Sequence, residues 1–208
     1  MIADVLKFMD PRVSWVMTLL GIISIVSIAL IVERFIYYGR RRVDANAFFE
    51  KVREALSTGG VAEALAFVKN HDNPIASILR VGLENYELSE DLLAETIESA
   101  ILEERTKLER FLAGMNTIGT VSPLLGLLGT VIGLIKAFLN IAVSGSGGPA
   151  VVAKGIGEAL YTTMLGLIIA VPVIYFYNYF AKKATDYTDT MEATMRKFLK
   201  LVAATKAG

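Results

Sequence analysis

Between Glu109 and Asp186 the chain carries a single carboxylate, Glu158, and the hydroxyls of Thr130 and Thr163 stand in runs that are otherwise strongly apolar. A carboxylate and hydroxyls in such surroundings can take up, orient or pass on a cation or a proton, and an ionisable group inside a membrane-like segment is by default a functional hypothesis. The bland alternative for Glu158 is an interfacial side chain paired with Lys136 or Lys154; for each threonine it is a bond back to its own i−4 carbonyl. Covalent and metal chemistry have less to work with. Cysteine is absent, which excludes disulfides, Zn–thiolate sites, iron–sulfur clusters and a thiol nucleophile. The one histidine, His71, sits beside Asp72 and Asn73 just before Pro74 and reads as a surface residue of a polar turn. With no His/Asp/Ser cluster and no metal-ligand spacing, the sequence predicts no enzyme, no metal and no cofactor.

The elements that must hold these residues are membrane spans. Of 208 residues 54% are apolar and 20% charged, and the mean hydropathy is +0.52. The charges are segregated: between Phe111 and Ala181 they are Lys136, Lys154 and Glu158 alone. That excludes an ordinary soluble domain. The 21 basic and 21 acidic residues balance, which argues against nucleic acid, since a phosphate-binding surface needs a basic excess. Three segments reach the roughly 20 apolar residues that cross a bilayer. Their cores are Val13–Val32, Phe111–Ile135 and Ala159–Ala181. The first is too long for a signal peptide and reads as a retained anchor. Lys7, Arg12, Lys136 and Lys154 fall on one side of the spans and the other 17 basic residues on the opposite side. The Lys/Arg bias therefore predicts an outside N-terminus.

The resulting plan is all-α: a periplasmic N-terminus (1–12), span one (13–38), a cytoplasmic helical region (39–110), span two (111–136), a periplasmic loop (137–157), span three (158–181) and a cytoplasmic helix (182–208). In the cytoplasmic region Gly59-Gly60 breaks an amphipathic helix, Pro74 opens another, and Ser89 caps a third. Along that third helix Leu93, Ile97, Ala100, Ile101, Leu108, Phe111 and Met115 recur at helical spacing with no breaker before Gly114, so it is expected to run unbroken into span two. Its acids (Glu95, Glu98, Glu103, Glu104 and Glu109 among them) read either as a solvated bundle face or as a cation-concentrating vestibule. After span three, Tyr187, Met191, Met195, Phe198 and Val202 make one stripe.

Spans two and three differ from span one, which is bulky and aliphatic. Gly119, Gly126 and Gly133 lie seven apart with Gly129 and Thr130 between, and span three answers with Ala159, Thr163, Gly166 and Ala170. In lipid, such small residues let helices approach closely. A chain with three spans has few internal partners for two such stripes, so the sequence predicts partners on other subunits and a homo-oligomer. Pro123 and Pro172 interrupt the two helices and read as packing irregularities or as hinges. Counting from the span ends, Thr130 lies about 9 Å and Thr163 about 7.5 Å below the same surface. One glutamate and two hydroxyls do not make a proton relay across roughly 30 Å. A carboxylate from a partner helix is therefore expected if the protein conducts ions.

The run Ser122-Pro123-Leu124-Leu125-Gly126-Leu127-Leu128-Gly129-Thr130-Val131-Ile132-Gly133, followed by Ala137-Phe138, resembles the second-span motif of the MotA/TolQ/ExbB proton-channel family. Gly155-Ile156-Gly157-Glu158-Ala159-Leu160-Tyr161-Thr162-Thr163-Met164-Leu165-Gly166-Leu167, then Ala170-Val171-Pro172 and Tyr177-Asn178, resembles its third-span motif. Three spans and Glu158 ahead of Ala-Leu point to the ExbB/TolQ branch, most like ExbB. The resemblance implies a homopentamer in the inner membrane of a Gram-negative-type bacterium, around two copies of a single-span ExbD- or TolR-like subunit whose aspartate supplies the missing carboxylate. It implies proton flow coupled through a TonB- or TolA-like protein, with Thr130 and Thr163 facing the partner aspartate, Glu158 in the ion pathway, and Pro123, Pro172, Gly126, Gly129, Gly133 and Gly166 as packing or hinge positions. A TolQ-like role in outer-membrane integrity, a flagellar or gliding stator, and sodium in place of protons are the alternatives.

Overall fold

The computed structural model describes residues 11–144 and 149–207, and these form six helices with no strand among them. They are α1 (Pro11–Arg40), α2 (Ala45–Lys69), α3 (Pro74–Glu84), α4 (Glu90–Leu108), α5 (Leu112–Ser144) and α6 (Pro149–Ala207). Three helical stretches, containing α1, α5 and α6, are long and apolar enough to cross a membrane. Helical geometry persists through Ser144 and resumes at Pro149, so most of the segment 137–157, read from sequence as a loop, is helix. Residues 1–12 and the turn between α5 and α6 lie largely outside the described residues.

Contacts divide the chain into two compact units, one of Met1–Glu33 with Phe111–Tyr179, the other of Arg34–Arg110 with Phe180–Gly208. In the first, Val16, Met17 and Leu20 of α1 are buried, and Ile132 and Leu165 pack against Met17. The far face of α1, including Ile22, Ile25, Ile28 and Val32, is exposed. This one-sided burial is what the bulky aliphatic composition of span one allows, since nothing in water-free surroundings drives those side chains inward.

The second unit is an ordinary helical core. Ile75, Ile78, Leu79 and Leu83 of α3 and Leu93, Ile97, Ile101 and Leu108 of α4 are buried, as are Met191, Met195, Phe198 and Val202 of α6. The 3.6-residue periodicity predicts these positions. Asn73 caps α3 by accepting from the Ala76 N–H at 2.9 Å, with Pro74 in the first turn. Asp44 caps α2 through the N–H groups of Asn46 and Ala47. Ser89 is the N-cap of α4 without a side-chain bond.

Gly60 breaks α2 with φ 70° and ψ −164°, a region essentially reserved for glycine. Gly60→Ala should therefore destabilise this unit by about 1–3 kcal/mol, whereas a Cβ on Gly39 meets nothing within 4 Å. Thermal melting of the two alanine variants checks this: a Gly60→Ala protein that melts no lower than Gly39→Ala contradicts it.

The expectation of one unbroken helix from Ser89 into span two is wrong. The α4 helix ends at Leu108 and α5 begins at Leu112, and between them Phe111 takes φ 69°, the sole positive-φ non-glycine among the described residues. Phe111 also leaves the apolar stripe and is 38% exposed. A break leaves carbonyls of the last α4 turn without helical partners. Arg34, 1% exposed, donates from one guanidinium nitrogen to the Lys107 and Leu108 carbonyls at 3.2 Å each, and the Tyr38 hydroxyl donates to Leu108 at 3.0 Å. A positive charge at a helix C-terminus also suits the helix dipole. Nearby, Arg41 reaches the buried Glu104 at 3.0 Å and Asp72 at 2.6 Å, and Lys107 meets the other Glu104 oxygen at 2.6 Å. Of the acids that sequence places along α4, Glu104 is thus an internal ion-pair partner, while Glu95, Glu98, Glu103 and Glu109 are exposed. His71 is exposed, as expected, against the Phe48 and Phe67 rings.

Candidate functional site

The small residues of α5 and α6 meet one another inside the chain. A Cβ on Gly126 would lie 2.8 Å from the Thr162 carbonyl oxygen and 2.9 Å from the Thr163 Cα; one on Gly166 would lie 2.5 Å from the Ser122 carbonyl oxygen. A Cβ on Gly129 would run into the Thr162 side chain, one on Gly133 into Ala159 at 2.9 Å, and one on Gly155 into Ala137 at 2.6 Å. Position 126 therefore faces 162–163, 133 faces 159 and 137 faces 155: the helices run antiparallel with backbones in direct apposition. This corrects the inference that the two stripes must seek partners on other subunits. The physics of close approach is as predicted, but each stripe is the other's partner.

The register also corrects the span-three stripe. Spacings of three and four allow either Thr162 or Thr163 between Ala159 and Gly166, and the structure places Thr162 at the contact. Thr162 is fully buried, and its Oγ1 lies 2.9 Å from the Gly126 carbonyl oxygen on α5 and 2.7 Å from the Ala159 carbonyl oxygen on α6. Sequence reasoning missed it because the two registers differ by one residue and the 3.6-residue period tolerates both.

Thr130 and Thr163 each follow a facing residue, Gly129 and Thr162. One step along a helix is about 100°, and in an antiparallel pair that step turns both residues to the same flank. The two predicted threonines therefore share a level and a flank. Their hydroxyls differ. Thr130 donates to the Leu127 carbonyl at 2.7 Å, so it bonds back to its own helix through the i−3 carbonyl. The Thr163 Oγ1 is buried and makes no hydrogen bond with any described residue, which is uncommon for a buried hydroxyl.

The Glu158 backbone is helical, and its side chain lies outside the described residues. Lys136 stands on α5 next to the Ala137–Gly155 contact with its ammonium nitrogen buried. Pro123 and Pro172 both sit within continuous helices. Pro123 is half-buried and Pro172 exposed; Gly126, Gly129, Gly133 and Gly166 are all buried at the interface. Among the described residues no group of three His, Cys, Asp or Glu side chains is placed to hold a metal ion. What the arrangement offers is a tightly packed helix pair with one free hydroxyl on its flank and no described carboxylate beside it.

The sequence model of the MotA/TolQ/ExbB proton channel family matches residues 70–193, which include both helices of this pair up to the far side of span three. The chain belongs to this family. As a family member it is similar to an ExbB homolog of Methanothermobacter thermautotrophicus, with 32% identity covering 89% of this chain and 71% of that protein. It is similar to the biopolymer transport protein ExbB of Neisseria meningitidis, with 30% identity over 88% of this chain and 89% of that one. ExbB of Salmonella typhimurium is 45% identical over a shorter stretch of 75 residues, 36% of this chain and 31% of that protein. The MotA/TolQ/ExbB family is one of proton channels, and the three long apolar helices make this member a membrane protein.

Proposed function

We propose that the chain is the ExbB-like scaffold of an inner-membrane motor driven by the proton-motive force. Five copies enclose two single-span ExbD-like helices, protons pass between scaffold and partner, and the resulting motion is delivered through a TonB-like protein to transport across the outer membrane. In this reading the N-terminus and the α5–α6 turn are periplasmic, and the unit containing α2, α3 and α4 is cytoplasmic. Thr130, Thr163 and Glu158 line the path.

The observation that carries the reading is the Thr163 hydroxyl, buried and unbonded within the described residues, on a flank it shares with Thr130 in a chain of a proton channel family. A buried hydroxyl without a partner costs about 1–3 kcal/mol, and an incoming carboxyl group or water supplies what it lacks. Proton transfer needs a titratable group, and the apolar runs of spans two and three contain none at mid-span. The acid must come from another chain, and the ExbD-like partner is the chain that carries it. The ExbB names of the curated relatives favour this role over a TolQ-like one.

Native mass spectrometry of the detergent-purified protein, alone and with its single-span partner, tests the assembly: five copies that take up two partners are expected, and a monomer or dimer that ignores the partner ends the proposal. Thr163→Val keeps the shape of the side chain and removes the hydroxyl. In reconstituted vesicles it should leave assembly intact and lower proton flux by up to about tenfold, the equivalent of one hydrogen bond in the conducting state. Full flux at normal assembly removes Thr163 from the path.

A further inference from the structure

We infer that Thr162 is a positioning residue that keeps the Thr163 hydroxyl free, by occupying the backbone carbonyl to which that hydroxyl would otherwise bond. This rests on the proposed proton path and deepens it by naming what sets the state of its free hydroxyl.

The starting point is an exception. Threonines within helices ordinarily bond back to the carbonyl three or four residues earlier. In this chain Thr117 donates to Ala113, Thr120 to Asn116, Thr130 to Leu127, Thr185 to Ala181 and Thr188 to Ala184. Thr163 donates to no described residue although its oxygen is buried. Its i−4 carbonyl is that of Ala159, and a carbonyl oxygen has two lone pairs. In α6 one of them accepts the backbone N–H of Thr163 itself, as helical geometry requires. The Thr162 hydroxyl, 2.7 Å away, takes the other. That carbonyl is full, and the buried Thr163 hydroxyl makes no bond to its i−3 carbonyl, that of Leu160, either.

Thr162 has a second acceptor, the Gly126 carbonyl on α5 at 2.9 Å. A hydroxyl has one proton to donate, so it serves Ala159 or Gly126 but not both at once. Donation to Ala159 leaves Thr163 available to a water molecule, a hydrated proton or a partner carboxyl. Donation to Gly126 ties α5 to α6 and reopens the Ala159 lone pair, which lets Thr163 bond back to its own helix and withdraw. Rotation of the Thr162 hydroxyl, with no change in packing, thus switches the neighbouring Thr163 hydroxyl between two states. The glycines at 126 and 129 make the geometry possible, because a Cβ at either would collide with Thr162 or its backbone.

The chain has no cysteine, so Thr163→Cys introduces a unique thiol whose S–H stretching band falls where other protein groups do not absorb. A thiol is a weak donor, and its band moves to lower frequency when it bonds. Infrared spectra are compared for the full-length Thr163→Cys protein in lipid vesicles with Thr162 intact and with Thr162→Val, Thr162→Ala and Thr162→Ser. With Thr162 intact or replaced by serine the band should lie at the free-thiol position; with valine or alanine it should shift down as the thiol takes the vacated Ala159 carbonyl. Valine preserves the side-chain shape and alanine removes any branched-chain strain, so a structural disturbance cannot mimic both. An identical band in all four proteins overturns the inference. Proton flux through the partner-bound complex with native Thr163 separates the two levels: Thr162→Val should lose most of the flux and Thr162→Ser should keep it. A shifted band with unaltered flux leaves the positioning intact and overturns the proton path, whereas lost flux with an unshifted band overturns the positioning alone.

Discussion

Gly126→Leu should separate α5 from α6 and leave a protein that no longer assembles. Its Cβ would lie 2.8 Å from the Thr162 carbonyl oxygen and 2.9 Å from the Thr163 Cα, and both are backbone atoms that cannot swing away. Overpacking in a tight core costs about 1–3 kcal/mol and occasionally more; with backbone on the far side, the upper end or beyond is expected. Gly129→Leu should also disrupt the pair, because its Cβ would lie 2.6 Å from the Thr162 Cβ, which no rotamer change moves. The measurement is the melting temperature and the size-exclusion profile of each variant in detergent. Because α5 and α6 belong to the same chain, the defect should appear even where copies do not associate. If either variant melts like the parent, the antiparallel register is wrong.

That register shows where sequence reasoning stops. The glycines of span two and the small residues of span three could be recognised as packing faces from composition alone, because close approach in lipid has one common chemical signature. Which face they pack against is a matter of topology. Two stripes in one chain can meet each other or seek neighbours, and spacing is silent on the choice. The same limit hid Thr162 behind Thr163: a one-residue shift rotates a helix by about 100°, and the apolar pattern on either side tolerated both. The cores of α3, α4 and the end of α6 were legible because polar residues alternate with apolar ones and fix the phase. The break at Phe111 was not. No glycine or proline marks it, and a phenylalanine with φ 69° runs against local preference.

Arg34 shows how such a break is sustained, and its replacement is the second large effect. From sequence it is one more basic residue flanking span one; in the structure it is 1% exposed and bonds the Lys107 and Leu108 carbonyls, with its guanidinium 4.3 Å from the centre of the Tyr37 ring. Arg34→Met keeps the length of the side chain and removes the charge and the donors. A hydrogen bond from a charged group contributes about 1.5–3 kcal/mol, so the melting temperature should fall by about 3–12 °C for a chain of this size. Arg40→Met, at an exposed position on the same helix, should barely move it. The Lys107 carbonyl would retain the Arg110 N–H at 3.4 Å, and Leu108 would still accept from Tyr38. Tyr38→Phe alone should therefore be tolerated better than Tyr38→Phe added to Arg34→Met, since only the pair leaves the Leu108 carbonyl with neither side-chain donor. A double-mutant cycle reads this as a coupling between the two substitutions. Strict additivity means that the two side chains do not share the carbonyl, and that the end of α4 is held by something other than this pair.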